Sequence, residues 1–307
     1  MKNWWRVMGT IIEQLSVSRG RWRSRHSALQ LAVAAAKSCL DQAECRPDDI
    51  DLLVNAGLYR DRNLGEPALA ALIQDDIGAH AEDPHRDEHG TFSFDIANGT
   101  CGVLTALQIV DGFLRSRVIR RALVVASDAD PGHRLSERFP LAAAGGAALC
   151  RWTEDLYGLG PVRWVNYLDE GDVFEATVGR NGGRNILRFS QSESVDERYA
   201  EAGCEAAAEC LRQAALTTSE VDRIVAAPAH PQFCEALARR LGLPESRITA
   251  ADDERMHTAA LLAGLESEHR QSMDTHTLLV AVGAGVTAGA ALYTSPIPHV
   301  GRSEGQG

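Results

Sequence analysis

Apolar and polar positions follow two periods along this chain, and the order of those periods repeats. Residues 39–54 (CLDQAECRPDDIDLLV) and 210–225 (CLRQAALTTSEVDRIV) agree at six of sixteen positions without a gap. In each copy, an alanine-rich stretch with helical spacing leads through a polar turn into a short apolar strand. The repeat predicts that one structural unit is present twice.

Each copy continues with the same elements: a helix, a longer helix, a buried strand and a strand of small residues. In the first copy these four elements are predicted at 66–77, from 101, at 122–126 and at 146–150. In the second copy they are predicted at 233–241, from 257, at 278–282 and at 289–293. Gly78 and Gly242 follow the first helix of each set, as glycines often do at helix C-termini. Strands that alternate with helices indicate mainly parallel sheets covered by helices.

Two such halves predict an α/β protein with a duplicated, five-layer α-β-α-β-α stack and a pseudo-twofold axis. The predicted halves are residues 1–155, which contain the candidate nucleophile described below, and 156–307, which contain two candidate histidines. The region 160–195 reads as an irregular insertion with hairpin-like glycines, Gly182 and Gly183 among them.

Composition and charge exclude several classes of function. The 307 residues contain 42 acidic and 31 basic side chains, a formal net charge of −11. No nucleic acid is expected as a partner, because no basic excess exists to displace phosphate counterions. The most apolar stretch, 278–293, is shorter than the roughly 20 residues that span a bilayer, so no membrane is expected. Seven cysteines without regular spacing indicate reduced thiols in a cytoplasmic protein.

Cys101 is the candidate nucleophile. The segment FDIANGTCGVLTALQIV predicts a strand that ends at Ile96, a tight turn and a helix that begins at the cysteine. Backbone N–H groups and the helix dipole stabilise a thiolate at such a position, so we expect a lowered pKa. The thiolate is the nucleophile of thioester exchange. A structural cysteine at a helix start is the alternative.

Two histidines are candidates for proton transfer. His230 lies between a buried strand and a helix, where α/β folds usually place ligand-binding groups. His257 opens the helix that corresponds to that of Cys101, and a pseudo-twofold axis would bring the two helix starts together. The three residues are predicted to form a nucleophile, a general base and a carbonyl-polarising donor. Each histidine also has a purely structural alternative. For His230 it is a packed loop residue, and for His257 it is a polar residue in the first turn of a helix. Candidates to orient a histidine are Asp95, Asp252 and Glu254.

The segment LLVAVGAGVTAGAAL places a small-residue turn, Gly283–Ala284–Gly285, directly after a strand. Glycines there let a backbone N–H approach a thioester carbonyl closely, as an oxyanion hole requires. We therefore expect Gly283 and Gly285 to bind the substrate.

Together these segments resemble ketoacyl-acyl-carrier-protein synthase III and its relatives in the thiolase superfamily. The resemblance rests on the cysteine helix with its following strands, on IVAAPAH and RRLGLP, and on the closing VGAGVTAGAAL; it covers roughly 27–150 and 199–293. It implies a thiolase-like homodimer that loads an acyl group on Cys101 from coenzyme A or an acyl carrier protein, without a permanently bound cofactor. It also implies an oxyanion hole formed by the backbone N–H groups of Cys101 and Ala284.

The chain departs from the family pattern at the histidines. Fatty-acid members have the histidine in a PHQAN motif, and an ungapped comparison sets Ala227 at that position. The HPQFC spacing instead resembles hydroxymethylglutaryl-CoA synthases, so the histidine role is assigned to His230. His257 stands where the family has the asparagine of a GNTSAA motif.

The N-terminus departs most, because the usual first strand and the tryptophan-arginine segment that holds coenzyme A are much shortened. Arg19, Arg21, Trp22, Arg23 and Arg25 are what remains as a substitute, with Arg21, Trp22 and Arg23 as the candidate substrate-binding residues. They could dock a phosphopantetheine thioester or an acidic carrier protein. A solvated loop is the alternative. The histidine-containing segment 80–92 lacks tight ligand spacing, so no metal is expected.

The leading hypothesis is an acyltransferase that loads Cys101 and then carries out a decarboxylative Claisen condensation with a malonyl-type thioester, in fatty acid or polyketide biosynthesis. The changed asparagine position favours an alternative, acyl transfer to an oxygen or nitrogen acceptor. The shortened N-terminus favours a third reading, a non-catalytic subunit of a heterodimeric synthase. Retention of Cys101 and both histidines argues against that third reading.

Overall fold

Helices and strands occur mostly where the hydrophobic period predicts them. The computed structural model describes residues 9–20, 27–79, 90–155, 157–168, 173–271, 276–283 and 285–295. The first half contains β1 (Thr10–Arg19), α1 (Ala28–Gln42), β2 (Leu52–Asn55), α2 (Leu69–Ile77), β3 (Phe92–Asp95), α3 (Gly102–Arg115), β4 (Arg121–Asp128) and β5 (Ala144–Trp152). The second half contains β6 (Gly158–Leu159), β7 (Arg163–Asn166), β8 (Phe174–Asn181), β9 (Arg184–Gln191), α4 (Val195–Ala214), β10 (Arg223–Ala227), α5 (Pro231–Leu241), β11 (Ile248–Thr249), α6 (Ala260–Gln271), β12 (His276–Gly283) and β13 (Thr287–Thr294).

Local sequence explains where several helices begin and end. The Ser27 side chain accepts a hydrogen bond from the backbone N–H of Gln30 and so caps the N-terminus of α1. Helices α2 and α5 end at Gly78 and Gly242, whose φ angles are 77° and 69°. Glycine adopts this left-handed conformation without steric cost, and the two predicted helix ends are confirmed.

The strands form two halves with the same order. The first half-sheet runs β3-β2-β4-β5-β1 and the second β11-β10-β12-β13-β7. In the first half-sheet, β3, β2 and β4 are parallel, and β5 is antiparallel to both β4 and β1. In the second, β11, β10 and β12 are parallel, and β13 is antiparallel to both β12 and β7. The two-residue strand β6 pairs with both β1 and β13, which joins the halves into one hydrogen-bonded sheet.

Three layers of helices enclose the two half-sheets. Helices α1 and α2 pack on the first half-sheet, α4 and α5 on the second, and α3 and α6 lie between the two and contact each other. The central layer holds a large apolar core to which both halves contribute, for example Leu104 of α3 and Leu261 of α6, both fully buried. The predicted five-layer stack is confirmed.

Two regions differ from the prediction. Strand β1 is ten residues long and pairs with β5 along its length, so the expectation of a much shortened first strand was wrong. A β-bulge between Ile12 and Gln14 interrupts the alternation of apolar and polar residues that would have marked this strand. The insertion also has regular structure: it contains β7 and the hairpin β8–β9, which turns at Gly182 and Gly183.

The described residues contain neither a membrane-spanning helix nor a metal-binding cluster. None of the helices there combines the length and the apolar character needed to cross a bilayer. Within the same ranges, no group of three or more histidine, cysteine, aspartate or glutamate side chains is arranged to hold a metal ion. Most of the histidine-containing segment 80–92 lies outside the described residues.

Candidate active site

Cys101 ends a single 3-10 turn, Gly99–Cys101, and α3 begins at the next residue. Strand β12 lies directly against this turn. The Thr100 hydroxyl donates a short hydrogen bond to the carbonyl oxygen of Val282. A methyl carbon built on Gly283 would lie 3.4 Å from the Cys101 Sγ and 3.0 Å from the Thr100 Oγ1. Gly283 therefore allows the end of β12 to approach the nucleophile closely.

The Cys101 thiol is buried and stands between two strands of the second half. Its Sγ lies 3.4 Å from the carbonyl oxygen of Ala281 and 3.3 Å from that of Thr287, so the thiol hydrogen has acceptors on both sides. Burial raises the pKa of Cys101 well above its usual value. The expectation of a lowered pKa was wrong, because burial desolvates the thiolate. The thiol is protonated at rest and needs a base.

His257 lies beside the cysteine turn, as the pseudo-twofold axis predicts. A methyl carbon built on Gly99 would be 3.6 Å from both Cε1 and Nε2 of His257. The imidazole packs against the rings of Tyr59 and Phe174, at centroid distances of 5.3 and 6.4 Å. Its side chain is 11% exposed. The ring is thus held with Nε2 towards the residues that precede Cys101.

A buried carboxylate lies behind His257. The Nδ1 of His257 is 3.6 Å from the Oδ2 of Asp128, a distance typical of an ion pair rather than of a hydrogen bond. Asp128 also accepts hydrogen bonds from the backbone N–H groups of Leu58, Tyr59 and Thr258 and from the Thr258 hydroxyl. Burial alone would raise the pKa of Asp128, but His257 and these donors bring it below its usual value. The carboxylate is therefore ionised and favours a proton on Nδ1.

His230 is paired with a second carboxylate. It is the residue directly before α5 and follows the loop that leaves β10. Its Nδ1 is 2.8 Å from the Oδ1 of Asp196, which lies in the first turn of α4. A carboxylate only accepts hydrogen bonds, so Nδ1 carries the proton and the other ring nitrogen, Nε2, is free to accept one.

One cavity of about 490 Å³ brings these groups together. Thr100 of the cysteine turn lines it together with His230, His257 and Asp196. The remaining walls combine apolar and polar side chains, which are those of Arg138, Pro140, Leu141, Phe174, Phe189, Ser190, Gln191, Val195, Tyr199, Pro228, Gln232, Glu254, Arg255 and Met256. The structure therefore places the cysteine turn and both predicted histidines at one concave site between the two halves.

The other predicted binding residues have mixed outcomes. Gly283 contacts the cysteine turn, whereas Gly285 has a φ of 70° and open space around its Cα. Ala284, Arg21, Trp22 and Arg23 lie outside the described residues. The backbone N–H of Cys101 donates to the Asn98 carbonyl oxygen at 3.0 Å, so it is engaged inside the turn.

The carboxylates that orient the histidines were not among the candidates named from the sequence. Asp95 accepts hydrogen bonds from the first N–H groups of α2, and Asp252 pairs with Arg19. Glu254 lines the cavity, but no hydrogen bond joins it to either histidine. Asp128 could have been suspected from its place at the carboxyl end of a buried strand. Asp196 had no sequence signal beyond its position near a helix start.

Comparisons with known proteins find similar sequences and similar folds. A family model described as 3-oxoacyl-[acyl-carrier-protein (ACP)] synthase III C terminal matches residues 211–295. A curated β-ketoacyl-[acyl-carrier-protein] synthase III from Sphingopyxis alaskensis is 28% identical over 305 residues, which cover 90% of this chain and 88% of the relative.

Solved structures are similar over nearly the whole chain. The 3-oxoacyl-[acyl-carrier-protein] synthase III from Aquifex aeolicus superposes with a TM-score of 0.77 at 20% identity, over 93% of this chain and all of the other. The priming β-ketosynthase from the R1128 polyketide biosynthetic pathway gives a TM-score of 0.78 at 21% identity, over 94% of this chain and 97% of that one. The fold is thus thiolase-like, and the chain is similar in sequence and in structure to ketoacyl-acyl-carrier-protein synthases III.

Proposed function

We propose that this chain is an acyltransferase of the ketoacyl synthase III type, in which Cys101 carries the acyl group and a malonyl-type thioester is the second substrate. The observation that supports it most is the meeting of the Cys101 turn with two histidine–carboxylate pairs at one cavity. The names of the relatives support the same class of reaction.

In the first half-reaction, the buried Cys101 thiol gives up its proton as it attacks the donor thioester. His257 is the base best placed for this, because its Nε2 faces the cysteine turn and its Nδ1 faces the ionised Asp128. A new thioester bond forms at Sγ and the bond to the donor sulfur breaks. The leaving sulfur takes the proton back from His257, so no net proton is consumed.

In the second half-reaction, a malonyl-type thioester occupies the cavity beside acyl-Cys101. The bond between its carboxylate carbon and its α-carbon breaks, carbon dioxide leaves, and the electron pair forms an enolate. The enolate carbon attacks the acyl carbonyl, and the bond from that carbonyl carbon to Sγ breaks. The Cys101 thiolate takes a proton from protonated His257, which solvent replaces. His230 and His257 would hold the second thioester, and in their protonated forms they would donate to its carbonyl oxygen. Backbone N–H groups of Cys101 and Ala284 remain our proposal for the oxyanion hole of the acyl group. This role requires the Cys101 N–H to exchange its hydrogen bond to the Asn98 carbonyl oxygen for one to the acyl oxygen.

A second candidate function follows from the carboxylates. The hydrogen bond between Asp196 and the Nδ1 of His230 is typical of a histidine that acts as a general base. Acyl transfer to a hydroxyl or an amine also needs such a base. In that reaction His230 would remove the acceptor's proton and no carbon dioxide would be released.

Partners and assembly belong to the same proposal. We propose acyl-CoA or an acyl carrier protein as the donor, with Arg21, Trp22 and Arg23 at its binding site. We also propose that the protein is cytoplasmic and that its two halves divide near residue 155. A homodimer could form through β3, which lies at the end of the hydrogen-bonded strand order and has Phe92 60% exposed.

The experiment that separates the two functions supplies one acyl donor and several acceptors. Acetyl-, octanoyl- and dodecanoyl-CoA are tested as donors, each with malonyl-CoA, malonyl carrier protein, or a panel of small alcohols and amines. A β-ketoacyl product with release of carbon dioxide supports condensation. Ester or amide products without carbon dioxide support the second candidate and contradict the first.

A further inference from the structure

The condensation proposed above needs hydrogen-bond donors at the second thioester, and the two histidines donate from Nε2 only in their protonated forms. Asp196 holds a proton on the Nδ1 of His230, and the ionised Asp128 favours one on the Nδ1 of His257. In each neutral ring the remaining nitrogen, Nε2, is then an acceptor. The carbonyl oxygen of the substrate becomes more negative as carbon dioxide leaves, so a further donor whose proton does not depend on the histidines would stabilise it.

Tyr199 has the chemistry and the position for this role. It lies in α4, three residues after Asp196, so the two side chains share one face of the helix. Like Asp196, it lines the cavity. Tyr199 is 5% exposed, and no hydrogen bond joins its hydroxyl to another described residue. A buried tyrosine hydroxyl usually has a hydrogen-bond partner, and here the hydroxyl is available to bond a ligand instead.

The surroundings of Tyr199 keep its hydroxyl protonated. Burial raises the pKa of Tyr199, and the nearby Cys101 and Asp196 raise it further. A phenol in this state donates a hydrogen bond throughout the neutral pH range, whatever the protonation state of the histidines. It also cannot easily lose its proton, so it stabilises a developing charge without becoming a base.

We propose that Tyr199 is a further catalytic residue, whose hydroxyl donates a hydrogen bond to the carbonyl oxygen of the malonyl-type thioester in the cavity. The enolate formed on loss of carbon dioxide is stabilised by this bond while the proton stays on the tyrosine oxygen. This inference rests on the proposed condensation and adds a residue to it.

The test compares Tyr199→Phe with the wild type in the two half-reactions separately. Acylation is followed as the rate of mass gain at Cys101 with acetyl-, octanoyl- and dodecanoyl-CoA. Decarboxylation is followed as carbon dioxide released from malonyl-CoA by the pre-acylated enzyme. Tyr167→Phe is the matched control, because the Tyr167 hydroxyl donates to Glu205 at 2.6 Å on the surface, and Tyr167 is not among the cavity-lining residues.

We expect Tyr199→Phe to lower decarboxylation about 100-fold, the usual effect of removing one preorganised donor, while acylation keeps its wild-type rate. Tyr167→Phe should change neither. Decarboxylation at the wild-type rate in Tyr199→Phe overturns the inference, as does an equal loss in both half-reactions, which would indicate a packing role. A wild type that is not acylated by any donor overturns the proposed function itself, which separates the two failures.

Discussion

At the scale of residues, each histidine of the cavity stands against a carboxylate from a distant part of the chain. Asp196 precedes His230 by 34 positions, and Asp128 precedes Thr258, the neighbour of His257, by 130. Such carboxylates fix which ring nitrogen bears the proton and how the ring is turned. They act through the histidines, so they are positioning residues.

We expect Asp196→Asn to lower the rate of the full reaction at least about tenfold, because an amide can donate to Nδ1 and so favours the wrong tautomer of His230. The loss should appear in kcat more than in KM, since Asp196 orients a base and contributes little to substrate binding. Steady-state kinetics with malonyl-CoA, together with the thermal unfolding midpoint, measure both effects.

Glu197→Gln is the matched control for that substitution. Glu197 is the next residue of α4, but its carboxylate pairs with Arg239 and Arg240 on the surface. It should keep the wild-type kcat. If Asp196→Asn also keeps the wild-type kcat, the positioning role of Asp196 is wrong.

Sequence reasoning found the residues of the site that stand at the ends of predicted elements. Cys101 and His230 were found because each lies where a strand and a loop lead into a helix, and His257 because it corresponds to Cys101 in the repeat. Asp196 and Tyr199 lie on a helix whose cavity face looks like any other helix face. Only the packing of α4 against the loop of His230 places those two residues at the cavity.

At the scale of elements, the repeat predicted most helices and strands, and it failed where the period itself is broken. The ten-residue β1 was missed because its bulge shifts the alternation, and β7 is too short to show one. The end of β12 matters most for the chemistry, since it forms one wall of the cysteine turn. Its glycine at 283 allows that contact.

We expect Gly283→Ala to destabilise the protein by about 1–3 kcal/mol, because the new methyl group would be 3.0 Å from Thr100 Oγ1 and 3.4 Å from Cys101 Sγ. It should also slow acylation, since the turn must shift to make room. Urea denaturation and the rate of mass gain measure the two effects.

Gly112→Ala, in the helix that follows Cys101, is the control for Gly283→Ala. A methyl group on Gly112 has no neighbour within 4 Å. There, alanine should stabilise the helix by about 0.5–1 kcal/mol and leave acylation unchanged. Equal stability of Gly283→Ala and the wild type would show that the contact is not as close as described.

At the scale of the whole molecule, Asp128 connects the two halves. It ends β4 of the first half and accepts two hydrogen bonds from Thr258, just before α6 of the second. It also accepts hydrogen bonds from the backbone N–H groups of Leu58 and Tyr59. One buried carboxylate thus holds together three segments that surround the cavity.

We expect Asp128→Asn to lower the free energy of unfolding at pH 7 by about 1–3 kcal/mol, because these donors lose a charged acceptor. The folded pKa of Asp128 lies below its usual value of 3.8. Its stabilisation is therefore present above that value and is lost as the pH falls through the folded pKa. Denaturation at pH 7 and pH 3 should show a difference between variant and wild type that shrinks in acid.

Asp76→Asn, at an exposed position of α2, should match the wild type at both pH values. A difference between Asp128→Asn and the wild type that stays constant down to pH 3 would contradict the assignment of an ionised, stabilising carboxylate.

The central claim, that Cys101 carries the acyl group, is tested most directly by intact-protein mass spectrometry. The wild type and Cys101→Ala are mixed with the acyl-CoA panel and with acyl carrier proteins. We predict a mass gain equal to one acyl group in the wild type with at least one donor and none in Cys101→Ala. The absence of a gain with every donor, or a gain that persists in Cys101→Ala, would contradict the account.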